Sequence, residues 1–335
     1  MQPKTHPTVA IVGAGISGLR CASILLEQGV SCALFDKSRG FGGRTSTRRK
    51  DNWLFDHGTG YFSGTDTDFL KHIKTLRLWQ PKGAQPQERL YVGTAGSSEL
   101  AKNIAAAITA YSPKTLSTHL GTTITKVSPV TTKGWQLFSS EGEAFGPFDL
   151  VVMTAPPPQA LHLITDVESC ITQDLSSLQT YCTWALMLVT DEQMAMPDLV
   201  RAPNAEISRI IAEHSKPQRQ MLQAGSETSG RLVRQGQYVL QAGRAFSKTH
   251  SDATQEEITQ LMLSKLDTLY GPIPKILHSQ AHRWLHAGIK APLGKSYLFD
   301  RTQGLAAAGD WCIGTTAEDA FISGSNLARA IIDGG

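Results

Sequence analysis

The chain opens on a β-branched apolar run from Thr8 to Val12 that stops at Gly13. A helical pattern follows from Ser17 to Gln28, ended by Gly29, and a second apolar run covers Ser31 to Phe35. Short apolar runs bounded by glycine predict buried strands, and the longer periodic stretch between them predicts a helix. Strand, glycine turn, helix and strand make a βαβ unit. Its crossover is right-handed, so the two strands run parallel and their ends open on one shared edge.

From Gly121 to Val152 the pattern changes to short segments, TTITKV, GWQLFSS and DLVVMTA, separated by Lys133-Gly134 and Glu141-Gly142. They predict a β-meander inserted in the dinucleotide-binding unit. Pro156, Pro157 and Pro158 end the last of these strands, because proline lacks the amide a ladder needs, and mark a domain crossing. Beyond it, TWALMLVT predicts a strand and the polar stretch from His214 to Gly230 a loop. Thr254 and Glu257 have capping-box spacing, and Ile258, Leu261, Met262 and Leu266 then form one apolar stripe, read as core. LAAAGDWC predicts a strand returning to the first sheet, and Ala317 to Ile332 a closing helix.

The expected architecture is therefore α/β: a discontinuous Rossmann-like domain over residues 1–65, 95–157 and 295–335, and a mixed α+β domain over 66–94 and 158–294. No internal repeat is visible. With 335 residues, 41% of them hydrophobic, the chain can bury a substantial core. The 32 basic and 29 acidic residues leave a net charge of +3, so nothing points to nucleic acid. Five scattered cysteines, Cys21, Cys32, Cys170, Cys182 and Cys312, include no C-x-x-C, so neither a metal site nor a disulfide framework is expected. The glycine-interrupted N-terminal run is read as structure rather than as a signal peptide. No apolar run approaches the ~20 residues needed to span a bilayer. Together with the reduced cysteines, this sets the expected location as the cytoplasm.

In GAGISG, Gly13 permits a tight turn, Gly15 the close approach of a pyrophosphate, and Gly18 the packing of helix on strand. The helix start, at Ser17 just after Ile16, offers free amides and the positive end of the dipole to phosphate, and both residues are candidate cofactor contacts. Asp36 stands eighteen residues beyond Gly18, where a carboxylate accepts from ribose hydroxyls, with Lys37 beside it. Those residues fit a nicotinamide dinucleotide as well as a flavin one. Four further segments favour FAD. DKSRGFGGRTSTRR places Gly42, Gly43 and Arg44 in a pattern that resembles the second diphosphate-binding motif of glutathione-reductase-like flavoproteins, and an arginine fork suits phosphate. In FDHGTGYF, the residues Asp56, Gly58, Gly60 and Tyr61 resemble the turn that passes the flavin in amine-oxidase-like proteins. Val127 matches the meander position whose backbone meets adenine, and Gly309, Asp310 and Ala317 resemble the ribityl-binding pair and the segment beneath the flavin pyrimidine.

The set GGRTSTRR, FDHGTGYF, GPFDLVVMTAPPPQA, AHRWLHA and GDWC with AEDAFISG occurs in the order seen in bacterial renalase-like flavoproteins, over nearly the whole chain. The resemblance implies a glutathione-reductase-type FAD-binding domain and non-covalent FAD. It also implies oxidation of dihydronicotinamide isomers, with electrons passed to dioxygen to give hydrogen peroxide. By the same resemblance, Ile16, Asp36, Arg44, Gly60, Tyr61, Val127, Asp310 and Ala317 contact FAD, and Tyr61, Gly96, Ser97, Thr183 and Trp311 line the substrate site. Tyr61, Trp284 and Trp311 are the aromatic candidates to hold a flat ring against the flavin, with Trp284 by itself weighed first as core. Hydride transfer needs alignment and exclusion of water more than a protein base. His57, His282 and His286 invite acid or base roles but are left unassigned, because a lone histidine in a strand or turn is more often a hydrogen-bonded structural residue. Cys312 is read as packing. Ser97, Thr316, Gly288 and Ile289 depart from the family pattern and bear on the substrate. An amine oxidase or desaturase-like enzyme on the same fold is the first rival, and a non-catalytic carrier of the prenyl-GTPase escort kind the second.

Overall fold

A computed structural model describes residues 7–111, 115–130, 134–219, 227–228, 231–232 and 234–334. Among these, a six-stranded sheet has the order Leu298–Asp300, Leu305–Ala307, Leu150–Met153, Val9–Val12, Cys32–Asp36, Leu116–Leu120. All neighbours are parallel except Leu298–Asp300, which forms an antiparallel hairpin with Leu305–Ala307. The first two strands and the helix Ile16–Glu27 are the βαβ unit the glycine spacing predicts.

Both faces of this sheet are covered, which is why its strands read as unbroken apolar runs. Successive side chains alternate between two cores: Val9, Ile11, Leu34 and Val152 pack on one side, and Ala10, Val12, Phe35 and Met153 on the other. The first core is shared with the helices Ile16–Glu27, Ser98–Tyr111 and Ala317–Asp333, through Leu19, Ile104 and Leu327. The second is closed by the meander, through Val127, Trp135 and Leu137.

The meander itself differs from the expectation. DLVVMTA does not belong to it: Leu150–Met153 pairs with Val9–Val12 in the main sheet. The third meander strand is Ala144–Phe148, paired with Trp135–Ser139 through an irregular register. Gly146 and Pro147 within it weaken the strand signal and hide it from sequence reading.

A second sheet, five-stranded and antiparallel, has the order Leu199–Arg201, Ile207–Ala212, Gly236–Ala242, Thr180–Thr190, Ile276–Ile289. The helix Gln255–Tyr270, opened by the Thr254–Glu257 capping box, packs on one of its faces through Ile258, Met262 and Leu266. Leu261 is 37% exposed, a correction to the predicted stripe. At 100° per residue the buried arc runs from Ile258 towards Thr259 and Leu263, and Leu261 lies on its other side.

The stretch from His214 to Gly230 also departs from a simple surface loop. Residues 220–226 and 229–230 of it lie outside the described residues, but Glu213–Ser215 is a short 3-10 turn, and Lys216 and Arg219 are buried. Lys216 Nζ donates to Asp56 Oδ2 at 2.8 Å and to Glu213 Oε1 at 2.6 Å. Arg219 Nη2 donates to Asp56 Oδ2 at 2.5 Å, and Arg219 Nη1 pairs with Glu213. Two cations and two carboxylates thus neutralise one another out of water, which is the condition under which buried charge is tolerated.

Among the described residues no helix is long and apolar enough to cross a membrane, and no group of three or more side chains is placed to hold a metal ion.

Candidate active site

The helix Ile16–Glu27 begins at Gly15 with no side-chain cap, so its first amides are left for another acceptor. Ser17 Oγ, at the same end, is buried and has no hydrogen-bond partner among the described residues. A Cβ on Gly15 would meet nothing within 4 Å, whereas one on Gly18 would collide with the Gly13 carbonyl. The two glycines therefore do different work: Gly18 lets the chain pack on itself, and Gly15 keeps a space open above the helix end. Gly43, at φ +54, sits beside Gly15 across an isolated bridge between Gly15 and Gly42.

Asp36 ends the second strand, where its Oδ2 accepts from Ala14 N at 2.7 Å and its Oδ1 from Ser38 N at 2.7 Å. It braces the glycine loop and keeps lone pairs for hydroxyl donors. Lys37 beside it is exposed. Val127 is buried in the meander opposite Leu137, so only its backbone is available to a ligand.

Arg44 and Asp310 meet beside a narrow crevice of only about 10 Å³, which Pro156, Pro157, His286, Gly288, Ile289 and Trp311 also line. Gly309, just before Asp310, is buried and its amide donates to Ser323 Oγ at 3.0 Å. Ala317 opens the last helix, partly buried against the first core. Trp311 is buried, and its indole N–H has no partner among the described residues. Unpaired Ser17 Oγ and Trp311 Nε1, uncapped helix amides and the space at Gly15 together fit a long polar cofactor that supplies acceptors at several points. A larger surface hollow beside the C-terminal helix contains none of the predicted residues.

Trp284 is half-buried rather than core. It lies on Ile276–Ile289 in register with Thr183, and its Nε1 donates to the His57 carbonyl at 2.9 Å. The His57 ring packs 4.9 Å from it and 4.8 Å from His282. Burial, with His282 and Arg48 adding to it, lowers His57 to about 4, and burial likewise lowers His282 and His286. All three are neutral at neutral pH. Cys312 is buried, which pushes its thiol up to about 12 and leaves it inert.

Gly96 and Ser97 lie at the turn before Ser98–Tyr111. Gly96 takes φ +107, where a side chain would also strike Thr47. Ser97 is buried, donating from its amide to Asp56 Oδ1 at 2.8 Å and from its hydroxyl to the Thr59 carbonyl. Its role in this arrangement is to brace the Asp56–Tyr61 segment. Gly60 is buried against Ile211, and Tyr61 is half-buried beside Trp79. Among the departures from the family pattern, Thr316 caps the last helix by accepting from Asp319 N at 3.1 Å. Gly288 makes room for Tyr181, against which Arg244 stacks at 4.1 Å.

Sequence reading missed Gln241, Arg201 and Arg209, which reach the same segment from the second sheet. Gln241 Nε2 donates to the Gly58 carbonyl at 2.7 Å. No motif marks these three residues, which lie on strands separate from one another in the chain and reach the segment only through the register of the second sheet.

A glycine-rich βαβ crevice, a second diphosphate-type arginine and an antiparallel sheet laid over one end define a flavoprotein oxidoreductase. The chain belongs to the flavin containing amine oxidoreductase family, whose model matches residues 82–332, preceded by an NAD(P)-binding Rossmann-like domain at residues 11–75. It is 23% identical to mouse renalase over 304 residues, 84% of this chain and 85% of that protein. A 4,4'-diapophytoene desaturase of Staphylococcus aureus is 38% identical over only 50 residues, 15% of this chain and 10% of that one. Among solved structures, an oxidoreductase from Methanosarcina mazei aligns with TM-score 0.71 at 11% identity, covering 96% of this chain and 100% of that one. Cyclohexylamine oxidase from Brevibacterium oxydans aligns with TM-score 0.70 at 13% identity, covering 98% and 99%. The protein is an FAD-dependent oxidoreductase.

Proposed function

We propose that the protein is an oxidase that takes a hydride from a dihydronicotinamide-like substrate and passes the electrons to dioxygen, giving hydrogen peroxide. The observation that carries this reading is the similarity to mouse renalase along 84% of the chain, where the desaturase match stops after 50 residues.

FAD bound along Gly13–Gly18, Asp36, Lys37, Gly43, Arg44, Val127, Gly60, Gly309, Asp310 and Ala317 would supply the hydride acceptor and the link to oxygen. The rest of the task falls to the chain, and is one of orientation. Thr183 and Trp284 stand in register on neighbouring strands, with Trp284 anchored to the His57 carbonyl, and Tyr61 stands at the other end of the Asp56–Tyr61 segment. The neighbouring histidines stay neutral, which suits removal of a hydride from carbon, a step that needs no protein base.

The family match also favours a second reading, in which the reductant is an amine. Anaerobic mixing separates the two. A dihydronicotinamide isomer should bleach the flavin bands, and air should restore them with release of peroxide. Bleaching by amines alone would overturn the proposal.

A further inference from the structure

Both ends of the Asp56–Tyr61 segment rest on one short turn. At the Asp56 end, Oδ2 accepts from Lys216 Nζ and Arg219 Nη2, and Oδ1 accepts from the Ser97 amide and the Thr47 hydroxyl, both at 2.8 Å. At the other end the Tyr61 ring packs on Trp79, with centroids 6.1 Å apart. Trp79 is buried; its indole N–H donates to Ser215 Oγ at 3.3 Å, and Lys216 Nζ stands 5.8 Å from the centre of its ring. Ser215, Lys216 and Arg219 all follow directly on the strand Ile207–Ala212 of the second sheet.

The same turn also fastens a third segment. Arg219 Nη2 donates to the Gly93 carbonyl at 3.0 Å, just before the turn that carries Gly96 and Ser97. Glu213, wholly buried, pairs with both cations and completes the cluster. Breaking such a pair out of water leaves an uncompensated charge, so the cluster holds one geometry where a solvated pair would sample several. Side chains backed in this way are placed more precisely than those on a free loop. The glycine turn and Asp36 stand on the first sheet and its helix, and among the described residues no hydrogen bond or ion pair joins them to the 213–219 turn.

We propose that Lys216, which reaches both the Asp56 carboxylate and the Trp79 ring, is a positioning residue that sets His57 and Tyr61 against the flavin. This rests on the reading that puts Tyr61 beside the flavin, and goes beyond it by assigning what fixes that placement. Arg219 extends the same hold to the Gly96–Ser97 turn.

The test uses the holoenzyme. Lys216→Met combined with Glu213→Gln removes one cation and one carboxylate and leaves Asp56 paired with Arg219, so the buried charge stays balanced. FAD per protein should equal that of the wild type, while the visible circular dichroism of the bound flavin changes. The limiting rate of flavin reduction by a dihydronicotinamide isomer should fall about tenfold or more, and the half-saturating concentration should move less, because misplacement acts on alignment. Tyr61→Leu should lower the same rate, and the two losses should not add when combined, as for residues that act through one another. Additive losses, a wild-type rate in Tyr61→Leu, or a wild-type rate and dichroism in the cluster variant overturn the proposal. If no dihydronicotinamide isomer reduces the wild-type flavin, the hydride-donor reading fails on its own account, and the dichroism decides. The same change in the cluster variant and in Tyr61→Leu, no larger in their combination, upholds the proposal, and any other pattern overturns it. If the cluster variant does not retain FAD, Trp79→Phe takes its place, since it keeps all four charges and loses only the bond to Ser215. It should give a smaller loss that again does not add to that of Tyr61→Leu, and no loss overturns the proposal.

Discussion

Arg44 and Asp310, 266 residues apart, close on each other in a two-armed pair, Nη1 to Oδ2 at 2.9 Å and Nη2 to Oδ1 at 2.5 Å. One follows the second strand of the βαβ unit and the other follows the strand that returns from the far end of the chain. Arg44 also donates to the Ala287 carbonyl at 3.1 Å, so one side chain ties the loop, the C-terminal turn and the second sheet together.

Removing Arg44 leaves the buried Asp310 carboxylate without its partner. Arg44→Ala should cost about 1–3 kcal/mol of stability and lower the flavin bound per protein, with Arg44→Lys between it and the wild type. Thermal melts and flavin absorbance measure both. Full flavin content in Arg44→Ala would remove this residue from the cofactor site.

Gly15→Ala and Gly18→Ala should fail differently. The methyl group on Gly15 meets no protein atom, so the variant should melt near the wild type while retaining less FAD. The one on Gly18 runs into the Gly13 carbonyl, and overpacking of this kind costs about 1–3 kcal/mol, so melting temperature and flavin content should fall together.

The buried cluster of Asp56, Glu213, Lys216 and Arg219 makes a third prediction. Lys216→Met leaves Arg219 facing two carboxylates and should destabilise the fold by about 3–5 kcal/mol. Asp56→Asn should release the Ser97 amide, seen as faster hydrogen exchange there than in the wild type.

Stability should fall on mild acidification. Burial lowers His57, His72, His214, His278, His282 and His286 in the folded protein. The unfolded chain then binds protons first, so this stability is complete above the unfolded value of about 6.5 and declines as pH drops. For His57 the decline ends near the folded value of about 4. Melting temperatures at about pH 7.5 and about pH 5 should differ clearly, and His57→Gln should narrow the gap. An unchanged melting temperature would contradict the burial of these rings as neutral species.

Much of the cofactor half was legible in the chain, because its signals are local. Gly13, Gly15 and Gly18 act within one turn, and Asp36 stands at a distance set by one helix and one strand. The apolar runs name the strands because both faces are covered, although that same evenness hid which sheet Leu150–Met153 joins. What lies on the substrate side was scarcely legible. Arg209 and Gln241 carry no motif, and become neighbours of Tyr61 and Gly58 only through strand register. Lys216 and Arg219 look like solvated charges until Asp56, some 160 residues earlier, is placed beneath them. By itself the sequence determined the dinucleotide fold, the flavin and the family pattern, since these rest on short-range backbone geometry and on motifs in fixed order. Only the tertiary structure decided which charges are buried and paired, because that depends on contacts between segments that the chain brings together from far apart.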